Sequence, residues 1–426
     1  MVRWMKKNPR GKRPKLHYGW IVVLAGMFAA IGAHGFSRFA YTVILPSMKE
    51  GLKLTYTQMG FLGTGNFAGY LFFATVGGFL AARYGSRVVI ALSLLLISIS
   101  MILTGISQYF EFALLMRILT GVGNGGAYVP AMALGSTWFA AKRRGLATGV
   151  VAAGIGVGTL LSGIVVPQIL LAYGLEGWRV SWFLLGSAVF AIAVLNYVFV
   201  RDRPEQKGLK PVGAEIDALS TGAKPTVSGR PEALKWGLVY RAREVWQLGL
   251  VYFMYGFSYI IYATFFAAYL TREGGLTSIE AGGLWAIVGA LSILSGPISG
   301  SLSDLLGRKY GSAIVYLILA TSYLIFALVK TSPAFYLSAV LFGVIAWGIP
   351  TIMAAFAGDY VGPRLAPAGL GFITLFFGIG QALGPAVGGY IADATGSFTQ
   401  AFLLSFVMSL VGAAGSLLLK KRAYRG

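Results

Sequence analysis

The chain contains no cysteine and only two histidines, His17 and His34, among its 426 residues. Without cysteine it has no disulfide bond, no thiol nucleophile and no cysteine-ligated metal. Two histidines are too few for a histidine metal site, and no phosphate-binding lysine loop occurs. We therefore expect no metal and no cofactor. Because no nucleophile–base cluster is visible, the sequence does not indicate an enzyme.

Acidic residues are also scarce, with 14 against 35 lysines and arginines, which gives a formal net charge of +21. Hydrophobic residues make up 57% of the chain. So little polar surface is typical of a membrane protein rather than a soluble domain. A membrane-spanning helix needs about 20 apolar residues, and twelve stretches have roughly this length. They lie near 18–46, 57–82, 88–107, 112–140, 145–173, 180–200, 245–270, 280–303, 311–330, 333–357, 367–392 and 399–419.

These stretches predict an all-α membrane protein with twelve transmembrane helices. Barrel strands are shorter, roughly ten residues, and alternate strictly between polar and apolar. The polar interruption at 201–244 separates two six-helix bundles, at 18–200 and 245–419, between a basic N-terminus at 1–17 and a C-terminus at 420–426. The end of the interruption, PEALKWGLVYRAR, permits either an amphipathic surface helix or a disordered tether.

The basic residues are distributed unevenly between the two sides of this predicted membrane protein. With twelve spans, 28 of the 35 fall on one side and two lie within spans. Since basic loops stay in the cytoplasm, both termini are predicted to be cytoplasmic. We interpret the positive charge as a determinant of topology in contact with lipid headgroups, and expect no nucleic-acid partner. The opposite side holds Lys49, Lys53, Arg179, Arg272 and Lys330.

The two halves share an internal repeat. The segment Gly78-Phe-Leu-Ala-Ala-Arg-Tyr-Gly-Ser-Arg87 corresponds to Gly300-Ser-Leu-Ser-Asp-Leu-Leu-Gly-Arg-Lys309, 222 positions later. A second pair, at Gly145 and Gly369, has an offset of 224. Duplicated six-helix halves are typical of secondary transporters, in which the substrate site lies between the halves near the bilayer midplane.

The repeated segment resembles the Gly-x-x-x-Asp-Arg-x-Gly-Arg-Arg loop of the major facilitator superfamily. The resemblance covers essentially the whole chain and implies two pseudo-symmetric bundles that alternate access to a central cavity. It also implies gating roles for the loop residues, although Ala82 stands at the acidic position of the first copy. The implied gating residues are Gly78, Arg83, Gly85, Arg87, Asp304, Gly307 and Arg308.

Within that superfamily the chain resembles the branch of monocarboxylate porters and oxalate–formate antiporters. The motifs that carry this resemblance are Tyr18-Gly-Trp-Ile-Val-Val, Gly35-Phe-Ser, the segment from Arg117 to Tyr128, the segment from Trp138 to Ala147, and Gly177-Trp-Arg179. The branch usually carries a carboxylate-binding arginine in helix 8, whereas the span at 280–303 has no charge. The substrate class is therefore not inherited directly.

Arg38 is the most informative candidate residue, because a charge inside a span costs about 3 kcal/mol or more. Its guanidinium suits bidentate binding of a carboxylate, which predicts recognition of an anionic substrate. The alternative is a structural arginine near the outer end of helix 1, snorkelling or paired with a carboxylate such as Asp393. His34, one turn earlier, is either a proton carrier or a packing residue.

A polar stripe on helix 4 contains Arg117, Asn124 and Tyr128. Polar groups that faced lipid would lack partners, so Asn124 and Tyr128 are predicted to line the cavity. In the superfamily the arginine matching Arg117 is thought to assist proton movement. The other interpretation is that Arg117 pairs with Glu111 or with buried carbonyls.

Further polar or aromatic residues lie in the middle of other spans. On helix 7, Tyr255, Tyr259 and Tyr262 follow i, i+4, i+7 spacing, and the first two are predicted to contact the substrate. Asn66, Trp347 and Gln381 are candidates from helices 2, 10 and 11, against a purely structural role in helix packing.

The predicted function is secondary active or facilitative transport of a small organic anion by alternating access, with a monocarboxylate as one candidate substrate. The predicted partners are a small-molecule substrate and the lipid bilayer, and the protein is expected to be a monomer in a bacterial inner membrane. All 14 acidic residues lie in loops or near span ends, which favours exchange or facilitated movement over carboxylate-based proton coupling. The alternatives are a multidrug or neutral-metabolite exporter and, more remotely, a non-transporting membrane sensor.

Overall fold

The computed structural model describes residues 17–140, 143–214, 240–361 and 365–419. Most of the basic N-terminus, the C-terminus and most of the segment predicted as an amphipathic helix or tether lie outside these residues. The described residues form twelve helices: α1 (Tyr18–Leu52), α2 (Tyr56–Tyr84), α3 (Ser86–Gly105), α4 (Phe110–Trp138), α5 (Arg144–Tyr173), α6 (Gly177–Phe199), α7 (Arg243–Arg272), α8 (Ser278–Leu306), α9 (Arg308–Leu328), α10 (Ser332–Val361), α11 (Ala366–Thr395) and α12 (Thr399–Leu418).

The described chain has nine helical stretches that are long and apolar enough to cross a membrane, or up to ten if the bent α2 counts as one span. One stretch, Arg144–Phe199, contains both α5 and α6. Helix α4 is not among them; its Arg117 and Asn124 are polar residues within the span. The prediction of an all-α membrane protein is confirmed.

The internal repeat is visible in the local structure at corresponding helix ends. Helices α2 and α8 each begin with a capping box, formed by Thr55 with Gln58 and by Thr277 with Glu280. Each box satisfies backbone N–H groups at its helix start. The two helices end at glycines with positive φ, Gly85 at 92° and Gly307 at 89°, a conformation that favours glycine.

Helices α1 and α10 are both irregular in the middle. Residues Ile31–Phe39 of α1 are π-helical, and such turns are frequent at functional sites. Helix α1 then continues through Pro46 to Leu52, past the predicted end at residue 46. Helix α10 is interrupted between Ile345 and Gly348. These two irregularities place Arg38 and Trp347 in the interior of the molecule.

The two halves pack on each other through the helix pairs α1–α7, α2–α11 and α5–α8. Glycines allow this close approach. A Cβ atom added at Gly163 of α5 would lie 2.6 Å from the carbonyl oxygen of Gly282 on α8. Any larger residue would push the two helices apart.

We name the two ends of the bundle by the predicted orientation, so that the outer end carries Lys53 and Arg272. The hydrogen bonds between the halves that the described residues show lie in the middle or towards this end. The Asp393 carboxylate accepts hydrogen bonds from the backbone N–H groups of Tyr56 (2.9 Å) and Thr57 (2.7 Å). Thr42 donates to the carbonyl of Ala263 at 2.6 Å. These contacts close the outer end.

Residues 201–214, which follow α6, pack onto the first half at the end opposite the outer end. The backbone N–H of Val212 donates to the Trp138 carbonyl (2.9 Å), and the Ala140 N–H donates to the Val212 carbonyl (3.1 Å). The Asp202 carboxylate accepts from the Arg87 N–H at 2.8 Å. This first part of the linker is therefore an ordered strap across the ends of α3, α4 and α6.

Candidate functional site

Arg38 lies on the π-helical turn of α1 and is only 6% exposed. Its Nε donates to the side-chain oxygen of Asn66 at 3.1 Å. Its Cζ lies 4.5 Å from the ring centroids of both Phe67 and Tyr70. The buried Nη2 has no hydrogen-bond partner. The guanidinium is thus held by an amide and two rings, with donor capacity left over.

Neither structural alternative for Arg38 matches its position. The residue lies in the middle of α1 rather than near the outer end. Asp393, offered as a pairing carboxylate, instead binds the N-terminus of α2 through Tyr56 and Thr57. No ion pair involving Arg38 occurs among the described residues. Its charge is therefore not neutralised by a described acidic side chain.

A chain of neutral polar side chains connects α1, α2 and α4 beside Arg38. The Ser37 hydroxyl donates to the side-chain oxygen of Asn124 at 2.8 Å. The Asn124 amide donates in turn to Asn66 at 3.4 Å. Asn66 and Asn124 are both fully buried. The structure therefore brings Arg38, Asn66 and Asn124 together in one network within the first half.

Arg117 lies next to this network and makes the contact with a buried carbonyl that was one of its predicted alternatives. Its Nη1 donates to the Ser37 carbonyl at 2.6 Å. The guanidinium also packs against Tyr41 (4.6 Å) and Trp182 (5.2 Å). An ion pair with Glu111 is not found among the described residues. Arg117 is therefore held much as Arg38 is, by one hydrogen bond and two rings, and its buried Nε likewise has no partner.

His34 lies between two tyrosine rings, one turn of α1 before Arg38. Its ring centroid is 4.3 Å from that of Tyr128 and 5.6 Å from that of Tyr70. Its Nδ1 is buried without a hydrogen-bond partner. The contacts are those of a packing histidine at the edge of the network, and its role in proton movement stays a prediction.

The second half faces this region with aromatic side chains. The Tyr259 ring stacks on Tyr255 at 4.7 Å and lies nearly parallel to Phe377 at 6.0 Å. Gln381 donates a hydrogen bond to the Tyr259 hydroxyl. The Trp347 ring lies 5.9 Å from Tyr259 and 5.4 Å from Phe39 of the first half. Tyr259, Trp347 and Gln381 are therefore brought together.

Two small gaps lie between the halves in this region, each of about 10 Å³, near the smallest volume that holds one water molecule. Arg38 and Arg117 line the first gap, and Tyr259 and Trp347 line the second. Phe39 lines both. A bound organic molecule would require the halves to separate here.

Some of the predicted residues do not line the gaps, and some residues in or near the gaps are not among those predicted. The Tyr255 hydroxyl donates to the Ala346 carbonyl, so this residue supports Tyr259 from behind. Phe39 and Tyr70 lie close to the predicted residues but were not predicted. Tyr70 follows Asn66 by four positions on α2, a spacing that indicates a shared helix face.

The predicted gating loops differ in their contacts. In the first copy, Arg87 donates from Nε to the Tyr197 carbonyl at 2.6 Å, and Arg83 packs beside Tyr84. Asp202 supplies a carboxylate near Gly85 and the N–H of Arg87, where the loop itself has Ala82. In the second copy, Arg308 forms ion pairs with Asp304 and, at 3.5 Å, with Asp359. Gly78 is loosely packed, since an added Cβ would meet only Val129, at 3.9 Å.

Taken together, the region offers positive charge from the first half and aromatic surface from the second. Within the described residues no group of three His, Cys, Asp or Glu side chains is placed to hold a metal ion. The chemistry available here is non-covalent binding of an anionic organic molecule.

Comparison with known proteins identifies one family, which matches both halves of the chain. The model described as "Major Facilitator Superfamily" matches residues 27–366 and 248–425. The matches cover more than half of the chain and include both halves.

Individual relatives align along most of their length. The "Probable sulfoacetate transporter SauU" of Cupriavidus necator is 25% identical over 397 residues, covering 89% of each chain. The "Hexuronate transporter" of Bacillus subtilis is 26% identical over 401 residues, covering 90% of each. "Monocarboxylate transporter 12" of Xenopus laevis is 23% identical over 423 residues, covering 95% of this chain and 88% of the other.

Solved structures share the fold. A bacterial homolog of the human lysosomal transporter Spinster, in an inward-facing and occupied conformation, has a TM-score of 0.77 at 20% identity. The same protein in its inward-facing, unoccupied conformation has a TM-score of 0.75 at 19% identity. Both comparisons cover 98% of this chain and 100% of the other.

Proposed function

Because the chain belongs to the major facilitator superfamily, we propose that it carries a small organic anion across the membrane by alternating access, with Arg38 as the residue that binds the anionic group. The observation that carries this proposal is the state of the Arg38 guanidinium. It is buried, has an unpartnered Nη2 and has no ion pair among the described residues. A buried charge of this kind is stabilised by a bound anion.

The relatives support the organic-anion class. Their names specify sulfoacetate, hexuronate and monocarboxylates, all of which carry an acid group. The family and these names describe transporters rather than enzymes. A guanidinium is suited to all these substrates because its planar fork binds carboxylate or sulfonate oxygens in pairs.

We infer that transport proceeds by exchange or facilitated movement. The acidic side chains of the sequence lie in loops or near span ends. A proton-coupled carrier commonly keeps a carboxylate in its cavity. Here the positions next to Arg38 and Arg117 are taken by the neutral residues Ser37, Asn66 and Asn124.

The chain is a multi-pass membrane protein, and we propose its location as a bacterial inner membrane. Short loops and bacterial relatives support this location. The distribution of lysine and arginine supports cytoplasmic termini. We also propose that a single chain is the functional unit, because the site lies between the two halves of one chain.

The proposal is tested by counterflow in proteoliposomes that contain the purified protein. Vesicles loaded with unlabelled acid should exchange labelled carboxylates but not a labelled neutral sugar. Arg38→Gln should lower the initial rate by about tenfold or more, as expected when a charged hydrogen bond to the substrate is lost. Arg38→Lys keeps the positive charge but loses the paired donors of the guanidinium. Its initial rate should lie between those of the wild type and Arg38→Gln.

Arg203→Gln is the matched control, because Arg203 is an exposed arginine in the strap, away from both gaps. It should exchange carboxylates like the wild type. Wild-type rates in a correctly folded Arg38→Gln protein would contradict the role of Arg38. Exchange of the neutral sugar alone would contradict the organic-anion function.

A further inference from the structure

Two buried arginines of the first half share one small space between the halves. Arg38 is 6% exposed and Arg117 is 1% exposed, and both line the same gap. Each guanidinium keeps one buried nitrogen without a hydrogen-bond partner, Nη2 in Arg38 and Nε in Arg117. Two like charges that lie together away from water repel each other, and both have lost hydration. The pair is therefore stabilised by an anion that fits beside both of them.

Among the described residues no acidic side chain compensates this charge. None of the ion pairs in this part of the chain includes Arg38 or Arg117. Asn66, which accepts from Arg38 Nε at 3.1 Å, is neutral. The polar residues that line the gap with the arginines, Tyr41, Thr42 and Thr264, are neutral as well. The two positive charges are thus offset only by dipoles and by ring faces.

The size of the gap restricts which anion can occupy it. Its volume of about 10 Å³ is close to the smallest that holds one water molecule. A carboxylate group alone, with its carbon and both oxygens, needs more room than this. A monatomic anion such as chloride is only slightly larger than a water molecule, so that small side-chain shifts are enough to admit it.

The gap exists only while the two halves are together. Ile260, Ala263 and Thr264 of α7 form its wall on the side of the second half. Thr42 of α1 donates to the Ala263 carbonyl at 2.6 Å and so holds this wall against the first half. Separation of the halves, which an organic acid requires, would open the gap and release a small ion from it. A small anion and an organic acid therefore use Arg38 in turn.

We propose that the closed arrangement of the halves binds a chloride ion between α1, α4 and α7, in contact with the guanidinium groups of Arg38 and Arg117. The inference rests on the proposed function in one respect, namely that Arg38 also binds the acid group of the transported molecule. It adds a second, inorganic ligand to that site. Chloride competes there with the organic acid, and it compensates the buried charge while the transporter carries no acid.

The first measurement is chloride binding to the purified full-length protein, followed by broadening of the chloride NMR signal. Sodium sulfate keeps the ionic strength constant, because sulfate is too large for the gap. The wild-type protein should broaden the signal by an amount that saturates with chloride and that bromide reverses. Arg38→Gln and Arg117→Gln should each lose the saturable part, since each removes one of the two charges.

Surface cations also attract chloride, so a matched variant separates the two sources. Arg203→Gln removes an exposed arginine of the strap, away from the gap, and should keep the wild-type broadening. Arg117→Lys keeps the positive charge and should retain part of the saturable signal, so that a loss caused by misfolding is recognised. Equal broadening by the wild type and Arg38→Gln, with both proteins monodisperse, overturns the inference.

Competition with the transported acid is the second measurement. Counterflow of a labelled carboxylate is recorded in proteoliposomes that contain either chloride or sulfate on both sides. At a chloride concentration equal to its dissociation constant, half of the sites are occupied, so the acid concentration for half-maximal exchange should rise about twofold. The maximal rate should stay the same. Chloride that binds through both arginines yet leaves this concentration unchanged would overturn a site shared with the acid.

The outcomes separate the two proposals. Arg38-dependent exchange of carboxylates without arginine-dependent binding of chloride overturns the inference and leaves the organic-anion function intact. Arginine-dependent binding of chloride by a folded protein that exchanges no acid overturns the organic-anion function and supports the chloride site alone.

Discussion

Asn66 connects the charge of Arg38 to the rest of the first half. Its side-chain oxygen accepts from Arg38 Nε at 3.1 Å, and its amide is directed to the Arg117 carbonyl at 3.4 Å. Since Asn66 is neutral, it orients the guanidinium without cancelling its charge. The site keeps its positive potential because position 66 holds a neutral amide. An aspartate, which has nearly the same volume, would fit there equally well.

Asn66→Asp should weaken anion binding by supplying a competing carboxylate of nearly the same volume. The new acid would pair with Arg38 and remove most of its attraction for a substrate. We expect the exchange rate of a labelled carboxylate to fall at least about tenfold, with a smaller fall in Asn66→Gln. Counterflow initial rates measure this effect, and wild-type exchange by Asn66→Asp would show that Arg38 does not bind the anion.

At this scale the sequence predicts the polar residues of the site better than the aromatic ones. Arg38, Asn66 and Asn124 were identified because polar groups inside a span need partners, and the structure brings them together. Tyr255 and Tyr262 share a helix face with Tyr259, yet the Tyr255 hydroxyl donates to the Ala346 carbonyl and the Tyr262 hydroxyl shares a hydrogen bond with the Ser338 hydroxyl, both within the second half. A helix in a bundle has neighbours on several sides, so spacing alone does not identify the ring that faces the gap.

One of the contacts that close the outer end is a carboxylate bound at the start of a helix. Asp393 of α11 accepts hydrogen bonds from Tyr56 and Thr57 at the N-terminus of α2, where the helix dipole also favours negative charge. The contact joins the two halves and must break when the outer end opens. It is exposed to water, so its contribution is modest.

Asp393→Ala should raise the fraction of molecules that are open at the outer end. A loss of about 1 kcal/mol corresponds to roughly a fivefold change in that equilibrium. The readout is labelling of a cysteine introduced at Ala263, a buried residue beside Thr42, with a reagent added from outside. Glu50→Ala, an exposed acid at the same end, should leave the labelling rate unchanged; equal rates in all three proteins would contradict a role for Asp393 in closure.

The strap formed by residues 201–214 should stabilise the first half. Asp202 binds the N–H of Arg87 at the start of α3, much as a capping residue does. Asp202→Ala is expected to cost about 1 kcal/mol and to lower the melting temperature by about 2–4 °C. A fluorescence-based thermal scan measures the shift, with the exposed Glu205→Ala as control; identical melting temperatures would show that the strap is not stabilising.

At the element scale, the number and order of the helices can be predicted from the lengths of the apolar stretches. The irregularities within the helices cannot. The π-helical turn at Ile31–Phe39 and the interruption before Gly348 occur within apolar runs. The strap is formed by short backbone contacts between Val212 and Trp138. These features depend on tertiary packing, which hydrophobic patterning does not encode.

The whole molecule has a predicted orientation that can be tested directly, since the chain has no native cysteine to remove. Thr331→Cys lies in the exposed turn between α9 and α10, and Glu205→Cys lies in the strap at the opposite end. An impermeant maleimide should label Thr331→Cys in intact cells and Glu205→Cys only after permeabilisation. The reverse pattern would invert the proposed topology.

The placement of the two buried arginines, Arg38 and Arg117, in the first half and of most ring contacts in the second also has an evolutionary consequence. The two halves descend from one duplicated unit, as the matching ends of α2 and α8 indicate. With this division, the second half can change in α7, α10 and α11 to recognise substrates of new shapes. Selection on the first half then preserves the arginines that require a negatively charged substrate. Exchange of one half between relatives would then be a route to new specificities that keeps the anion requirement unchanged.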